Sequence, residues 1–480
     1  MLSFFKVNDP FRLIFILLLL VLIRLPVFLG DMPLMLAEIG WLITGEKLSS
    51  GSILYQEIWD NLAPFSAAAY WIIHEIFGRS VIAYHLISFC LVLFQAFIFN
   101  TILINTKSFD DSSYVSAVVY ALLMSSFVDF NTLSPVLMSV TFILLAVNNI
   151  FYHVDNKSWV GNLLNTGLYL SVASLFYIPC ILFVLPILLS YILFTGITPR
   201  HFMLFLYGII LPYIFVGVYF FWFDALNDFY YHFIYANIFM PGKIFIDRSD
   251  FLLISILPIT YLIFSFFKLF EASRYTSYQV RYQQIMFFMI LAAVLSWIFG
   301  NTRVPFQLII FVPFAAFFLS HYFILIKKRI FAEGLFILYF IYIAFMNLGS
   351  SYSFLVPDII DYEELLVKNT ALDEMIKNKK ILVLGDDLQY YKNSSLATPY
   401  LNWTLAQVHF NDPHYYDNLT AIYSNFKDDL PEVIIDKKDV FAEVINAMPT
   451  LQPLYQYKSE IGVYILKKDT DQKITDRQIN

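Results

Sequence analysis

Charge is the scarcest commodity in this sequence. Only 14% of its 480 residues are Asp, Glu, Lys or Arg, against 59% hydrophobic and 19% aromatic, and mean hydropathy is +0.68. That shortage excludes a soluble domain of this size and leaves a polytopic α-helical membrane protein. The basic residues are scattered at loop ends and build no basic face, which excludes nucleic acid as a partner. Cysteine is nearly missing. Cys90 and Cys180 both fall in apolar stretches and read as free, buried, inert thiols. There is no P-loop, no zinc-type His/Cys spacing and no G-x-S-x-G. Gly385-Asp386-Asp387 follows a strand-like run, but no G-x-G-x-x-G opens the next helix, which removes a dinucleotide site. The first apolar run lacks a small-residue cleavage site and reads as a retained helix. Internal repeats and low-complexity linkers are absent too.

What is present is a series of apolar runs near the ~20 residues a bilayer demands. They are 11–30, 80–104, 112–130, 132–152, 160–177, 179–197, 202–223, 251–270, 284–300, 305–326 and 330–349, about eleven transmembrane helices. The pair flanking Pro179 reads either as a tight hairpin or as one kinked helix. Basic residues of short loops set the orientation. With the amino terminus in the cytoplasm, the inner side collects Lys6, Arg12, Lys107, Lys157, Arg200, Lys268, Arg274, Arg281, Lys327, Lys328 and Arg329. Lys47, Arg79, Lys243, Arg248 and Arg303 remain outside. The expected location is a bacterial inner membrane, with residues 350–480 in the periplasm.

The acids are gathered, not scattered. Asp31, Glu38, Glu46, Glu57, Asp60 and Glu75 crowd the first outer loop, residues 30–79, against only Lys47 and Arg79. Carboxylates held beside hydrocarbon are costly unless something uses them. The loop carries two short apolar patterns, Leu34 to Ile43 ended by Gly45 and Ala67 to Phe77 ended by Gly78. Both are too short to span and are expected to lie along the membrane surface. Three further outer segments share that compartment: Phe130 to Pro135, Trp222 to Asp250, and Gly300 to Gln307 with Arg303 between two apolar helices.

From about Ser350 polar residues become common and apolar runs shorten to strand length. Tyr362–Asn378, Tyr416–Phe426 and Asp439–Met448 have helical spacing. Lys380–Leu384, Glu432–Asp436 and Gly462–Leu466 read as strands. The expected organisation is a membrane domain over 1–349 and a small α/β domain over 350–480. Asn393, Asn402 and Asn418 stand in N-x-S/T triplets, taken as chance matches.

Carboxylates on one side of the membrane, an arginine nearby and a surrounding apolar bundle suit transfer of a group from a lipid phosphate. A carboxylate takes the proton of the incoming hydroxyl while a cation holds the departing phosphate. A transporter could use similar residues, but it would place charges at mid-membrane depth, whereas here they sit at span ends.

The order of motifs carries a resemblance. Arg24-Leu25-Pro26 is followed by Asp31, Gly45, Tyr55-Gln56-Glu57-Ile58-Trp59-Asp60-Asn61-Leu62-Ala63-Pro64, Tyr70-Trp71, Phe77-Gly78-Arg79-Ser80 and Ala83-Tyr84-His85. This resembles the first outer loop of the GT-C class of polyprenyl-phosphate-sugar glycosyltransferases, which includes protein O-mannosyltransferases and lipid A aminoarabinose transferases. That loop runs from an Asp-Glu pair through a Gly and a Tyr-x-Asp-x-x-x-x-x-Pro stretch to Phe-Gly-x-Ser. Gly208 to Pro212, Asp224 to Tyr230 and Arg303 to Pro313 are similar to its later segments. The resemblance implies an inverting glycosyltransferase acting on a polyprenyl-phosphate-linked sugar. It makes Asp31 the general base and places Arg303 on the donor phosphate. Residue 32 is Met where the family has Glu, and Glu38, about two helical turns on, is the substitute. Glu57 and Asp60 are candidates for lining the acceptor groove or for holding a divalent cation, Mg or Mn. Two alternatives remain: a non-catalytic GT-C-like subunit of an envelope assembly, and a transporter or flippase.

Overall fold

The computed structural model describes residues 1–30, 32–155, 161–271, 275–300, 302–459 and 461–467. Eight of its helices are long and apolar enough to cross a membrane: Val81–Asn105, Pro135–Val154, Ile178–Thr195, Pro199–Trp222, Arg248–Leu269, Ser277–Phe299, Pro305–Leu325 and Arg329–Ser351. All eleven expected stretches contain helix, but three are short: Arg12–Ile23, Val115–Leu123 and Gly161–Phe176. The count of eleven spans is therefore not reached by length, because Arg24, the turn at Met124–Phe127 and Tyr177 break those runs. Ile178–Thr195 runs as one element behind Pro179, with a tight 3-10 turn leading into the α-helix.

Proline opens many of these helices, as at Pro64, Pro199 and Pro305, where its missing N–H costs nothing. Glycine sets the closest crossing. Gly167 on Gly161–Phe176 faces Gly208 on Pro199–Trp222, and a Cβ on Gly167 would lie 3.0 Å from the Gly208 Cα. Of the two thiols, Cys180 is buried as expected, but Cys90 is exposed on the outward side of Val81–Asn105, because its stretch of that helix turns an apolar face away from the bundle.

The first loop departs from expectation at its first helix. Leu36–Ser49 runs straight through Gly45, and its residues Ile39, Trp41, Leu42 and Ile43 are buried, so it is a packed helix and not one lying on a surface. Gly45 is there for proximity: a Cβ would come within 2.8 Å of the Tyr70 carbonyl oxygen on the second loop helix. That second helix, Pro64–Phe77, has the expected end and two-faced pattern. It buries Ala67, Tyr70 and Ile73, exposes Trp71, Ile72, Ile76 and Phe77, and ends at Gly78 with φ 64°.

Beyond Ser351 lies a five-stranded sheet: β1 Lys380–Leu384, β2 Ser395–Leu396, β3 Val433–Asp436, β4 Tyr455–Lys458 and β5 Val463–Leu466. The order is β2-β1-β3-β5-β4, with β2, β1 and β3 parallel and β5 and β4 antiparallel. Leu382 pairs with Ile434 at the centre. Alternation divides the sheet's faces. Ile381, Val383, Val433 and Ile435 join the core of the helical bundle and first loop, while Leu382, Leu384 and Ile434 pack under Trp403–Phe410, Tyr416–Asp428 and Phe441–Ala447. The helix expected over Tyr362–Asn378 is reduced to two single turns, Glu363–Leu365 and Asp373–Ile376. The chain between is drawn out across the first loop, where Val367 N–H donates to the Leu34 carbonyl at 3.0 Å.

The sheet is bolted to that loop by charge. The Arg79 guanidinium donates to Glu46 at 3.0 Å, to the Ser394 carbonyl at 2.9 Å and to the Tyr391 carbonyl. Asp429 accepts from Lys47 at 2.9 Å and Lys380 at 2.7 Å.

Candidate functional site

A cavity of about 270 Å³ opens where helix ends, the first loop and the sheet region meet. Pro135, Phe176, Ile178, Phe245 and Phe306 give it an apolar wall. Its polar lining is Asp60, Asn61, Asn237, Lys243, Gln307 and Asn402, with Asp386 from the loop after β1.

Asp60 is held there by a turn with an uncommon backbone. Tyr55 has φ 71°, a region that bulky residues rarely enter, and persists because both its ends are tied. Its N–H donates to the Ile58 carbonyl at 3.0 Å and its hydroxyl to the Leu62 carbonyl at 2.7 Å. The next residues are clamped to the sheet region. Trp59 N–H donates to the Pro399 carbonyl at 2.7 Å, and Asn402 N–H to the Trp59 carbonyl at 3.0 Å. The Trp59 ring lies between His232 and His409, with centroids at 5.1 and 4.8 Å. Burial keeps the His232 imidazole neutral, lowering its pKa to about 4.

The Asp60 carboxyl is pushed up to about 6 by burial, partly offset by hydrogen bonds from the Asn61 N–H, the Asn402 side chain and the Leu62 N–H. The Asn61 N–H contact measures 2.8 Å. A carboxylate titrating close to neutrality is suited to taking a proton from a hydroxyl.

Lys243 reaches the cavity because its segment pairs with the loop ahead of Pro305. Arg303 N–H donates to the Lys243 carbonyl at 3.0 Å, and Phe245 N–H to the Arg303 carbonyl at 3.1 Å. The ammonium lies 4.7 Å over the Phe245 ring and 4.0 Å from Glu364, a long ion pair between exposed groups that leaves it open to an anion. Beside it Gln307 donates to Thr302 Oγ1 at 3.2 Å, while its own Oε1 is buried without a partner. A buried amide oxygen left unmet is a polar group waiting for a donor.

The residues singled out in the sequence do not all converge. Asp31 lies outside the described residues. Glu38 is fully buried, accepts from Met35 N–H at 3.1 Å and stands 2.7 Å from His85 Nε2; its neighbours Ala37, Gly40 and Trp41 line the cavity and it does not. Glu57 is exposed and accepts from Ile53 N–H at 2.8 Å, ordering the turn that carries Asp60. Arg303 is absent from the lining. Its guanidinium caps the end of Ser277–Phe299, donating to the carbonyls of Gly300 at 2.6 Å, Trp297 at 2.7 Å and Ile298 at 2.9 Å. Of the three described acids, Glu38, Glu57 and Asp60, Asp60 alone lines the cavity. Among the described residues no three His, Cys, Asp or Glu side chains group to hold an ion.

Sequence reasoning passed over Lys243, Asn237 and Asn402 as site residues. Pro241-Gly242 ahead of Lys243 was the one local signal, a turn that presents the next side chain. Nothing in the sequence brings Asn402 to Asn61.

No protein-family profile and no curated protein matches this chain. Among solved structures, ArnT from Cupriavidus metallidurans bound to undecaprenyl phosphate aligns with a TM-score of 0.60 at 11% identity, covering 96% of this chain and 98% of that one. The apo form of ArnT from the same organism gives 0.57 at 11% identity, covering 93% and 96%. At such identity the likeness is one of fold, and it runs the whole length of both chains. This is a multi-pass helical membrane protein with the GT-C-type fold that its first-loop motifs resemble.

Proposed function

We propose that this protein is an inverting glycosyltransferase that takes a sugar from a polyprenyl phosphate, acting at the outer face of the membrane. One observation carries the reading: Asp60 and Lys243 line one cavity together with apolar residues of the helix ends and with Asn61, Asn237 and Asn402. The fold likeness to a protein captured with undecaprenyl phosphate supports it.

In the proposed step the acceptor hydroxyl oxygen attacks the anomeric carbon from the side opposite the phosphate. The carbon–oxygen bond to phosphate breaks, and polyprenyl phosphate leaves with the electron pair. The hydroxyl proton passes to Asp60. Lys243 receives the phosphate, and the polyprenyl chain lies along the apolar wall. Asp31 remains the base that the resemblance implies, so the two carboxylates are tested against each other.

The experiment follows release of undecaprenyl phosphate from glycosylated donor by the purified full chain. Asp60→Asn is expected to lower the rate by about 10²- to 10⁴-fold, the usual worth of a general base, with binding of undecaprenyl phosphate retained. Lys243→Ala is expected to weaken that binding. Full activity in Asp60→Asn together with loss in Asp31→Asn would return the role of base to Asp31. Wild-type protein that binds no polyprenyl phosphate overturns the reading.

A further inference from the structure

Three asparagines meet on the cavity from distant parts of the chain: Asn61 in the first loop, Asn237 in the segment ahead of Lys243, and Asn402 just before Trp403–Phe410. Their hydrogen bonds are unequal. Asn237 is fully engaged as a donor, reaching the Asn61 and Phe233 carbonyls at 2.8 Å each. Asn402 Oδ1 caps its helix, accepting from Thr404 N–H at 3.0 Å. Asn61 is held chiefly through its backbone, its N–H on Asp60 at 2.8 Å and its carbonyl on Asn237 at 2.8 Å. Among the described residues the Asn61 side-chain amide makes two hydrogen-bond contacts: Nδ2 to Asn237 Oδ1 at 3.4 Å and Oδ1 from Asn402 Nδ2 at 3.5 Å. Both lie at the weak limit of a hydrogen bond. A fixed backbone thus presents, next to Asp60, an amide with one N–H and one lone pair uncommitted and its other two held by weak contacts.

We propose that the Asn61 amide, braced by Asn237 and Asn402, is the element that recognises the hydroxyl groups of the transferred sugar ring. A carboxamide offers a donor and an acceptor side by side, which matches two neighbouring hydroxyls of a sugar, each able to give and to take a hydrogen bond. Trp41, Trp403 and Leu401 also line the cavity and offer apolar surface to the less polar faces of such a ring. The sheet region is then part of the specificity site, since Asn402 closes the amide group from that side. This inference rests on the transferase reading and names its sugar-reading residue.

The test is native mass spectrometry of the purified full chain with undecaprenyl phosphate, bare or carrying a hexose, an aminopentose or an N-acetylhexosamine. Wild-type protein is expected to hold at least one glycosylated lipid about tenfold more tightly than the bare lipid, what one or two hydrogen bonds supply. Asn61→Ala is expected to bring that ratio to about one while leaving bare-lipid affinity unchanged. Asn402→Ser, which keeps a capping oxygen but is too short to reach Asn61, is expected to lower the ratio in the same direction. A preference that survives Asn61→Ala, or a wild-type protein that binds the bare lipid with no preference for any glycosylated form, overturns the inference and leaves the transferase reading standing. Wild-type protein that holds none of the lipids overturns both.

Discussion

The two walls of the cavity come from regions built on opposite principles. The helix wall is assembled from spans that are apolar almost throughout, and its side chains at the cavity are Pro135, Phe176, Ile178 and Phe306. The wall from the sheet region comes from a part of the chain with short strands and polar connections, and it sets Asp386, Asn402 and Thr404 among Leu388, Leu401, Trp403 and Leu405. A lipid donor needs the first kind of surface and a hydroxyl-rich group the second. Reaction between them requires one place where both are present, and the first loop supplies it by touching each.

That contrast can be broken from the helix side first. Gly167→Leu is expected to force Gly161–Phe176 away from Pro199–Trp222, since even a Cβ has no room beside Gly208. A cost of about 2–3 kcal/mol is expected, read as a lowered thermal midpoint in detergent. From the sheet side, Arg79→Ala removes the partner of Glu46 and strands the Ser394 and Tyr391 carbonyls. A loss near 2 kcal/mol is expected, with faster proteolysis confined to the chain after Ser351.

Where the walls meet, pH is the probe. Asp60 has an ordinary pKa of 3.8 and one of about 6 in the fold. Between those values the folded protein keeps a proton that the unfolded chain has released, so stability falls as pH rises from about 4 to about 6. Asp60→Asn should flatten thermal stability across that window and raise it above pH 6. Donor cleavage should move the other way, switching on as pH climbs through about 6; a flat rate profile there would remove Asp60 as the base.

The smallest effect is expected at Arg303. Because its guanidinium caps a helix end, Arg303→Ala should cost about 1 kcal/mol of stability and leave undecaprenyl phosphate affinity within about twofold. A large loss of affinity would show that the cation leaves its carbonyls for the lipid.

Legibility followed the range of the interaction. The apolar runs, the acid-rich first loop, β1, β3 and β5 were readable because periodicity and length are local properties. Tyr362–Asn378 was misread because helical spacing there lost to pairing with Leu34, a contact made across the whole membrane domain. Glu57 and Asp60 look equivalent in sequence, three residues apart in one acidic stretch. The turn at Tyr55 leaves Glu57 outside and carries Asp60 in. Glu38 was read as a stand-in acid, and only the approach of His85 from another helix shows it buried and paired.

Composition by itself determined that this chain is a helical membrane protein with polar material after the last span, since hydrocarbon tolerates little else over such lengths. Tertiary structure alone decided which carboxylate, which cation and which amides share a cavity. Lys243 lines the cavity and Arg303 does not: the two lie on neighbouring paired segments, and the arginine is spent capping the helix end. Asn61 and Asn402 are neighbours only because the sheet region folds back onto the first loop, and no local pattern encodes a contact closed over so much chain.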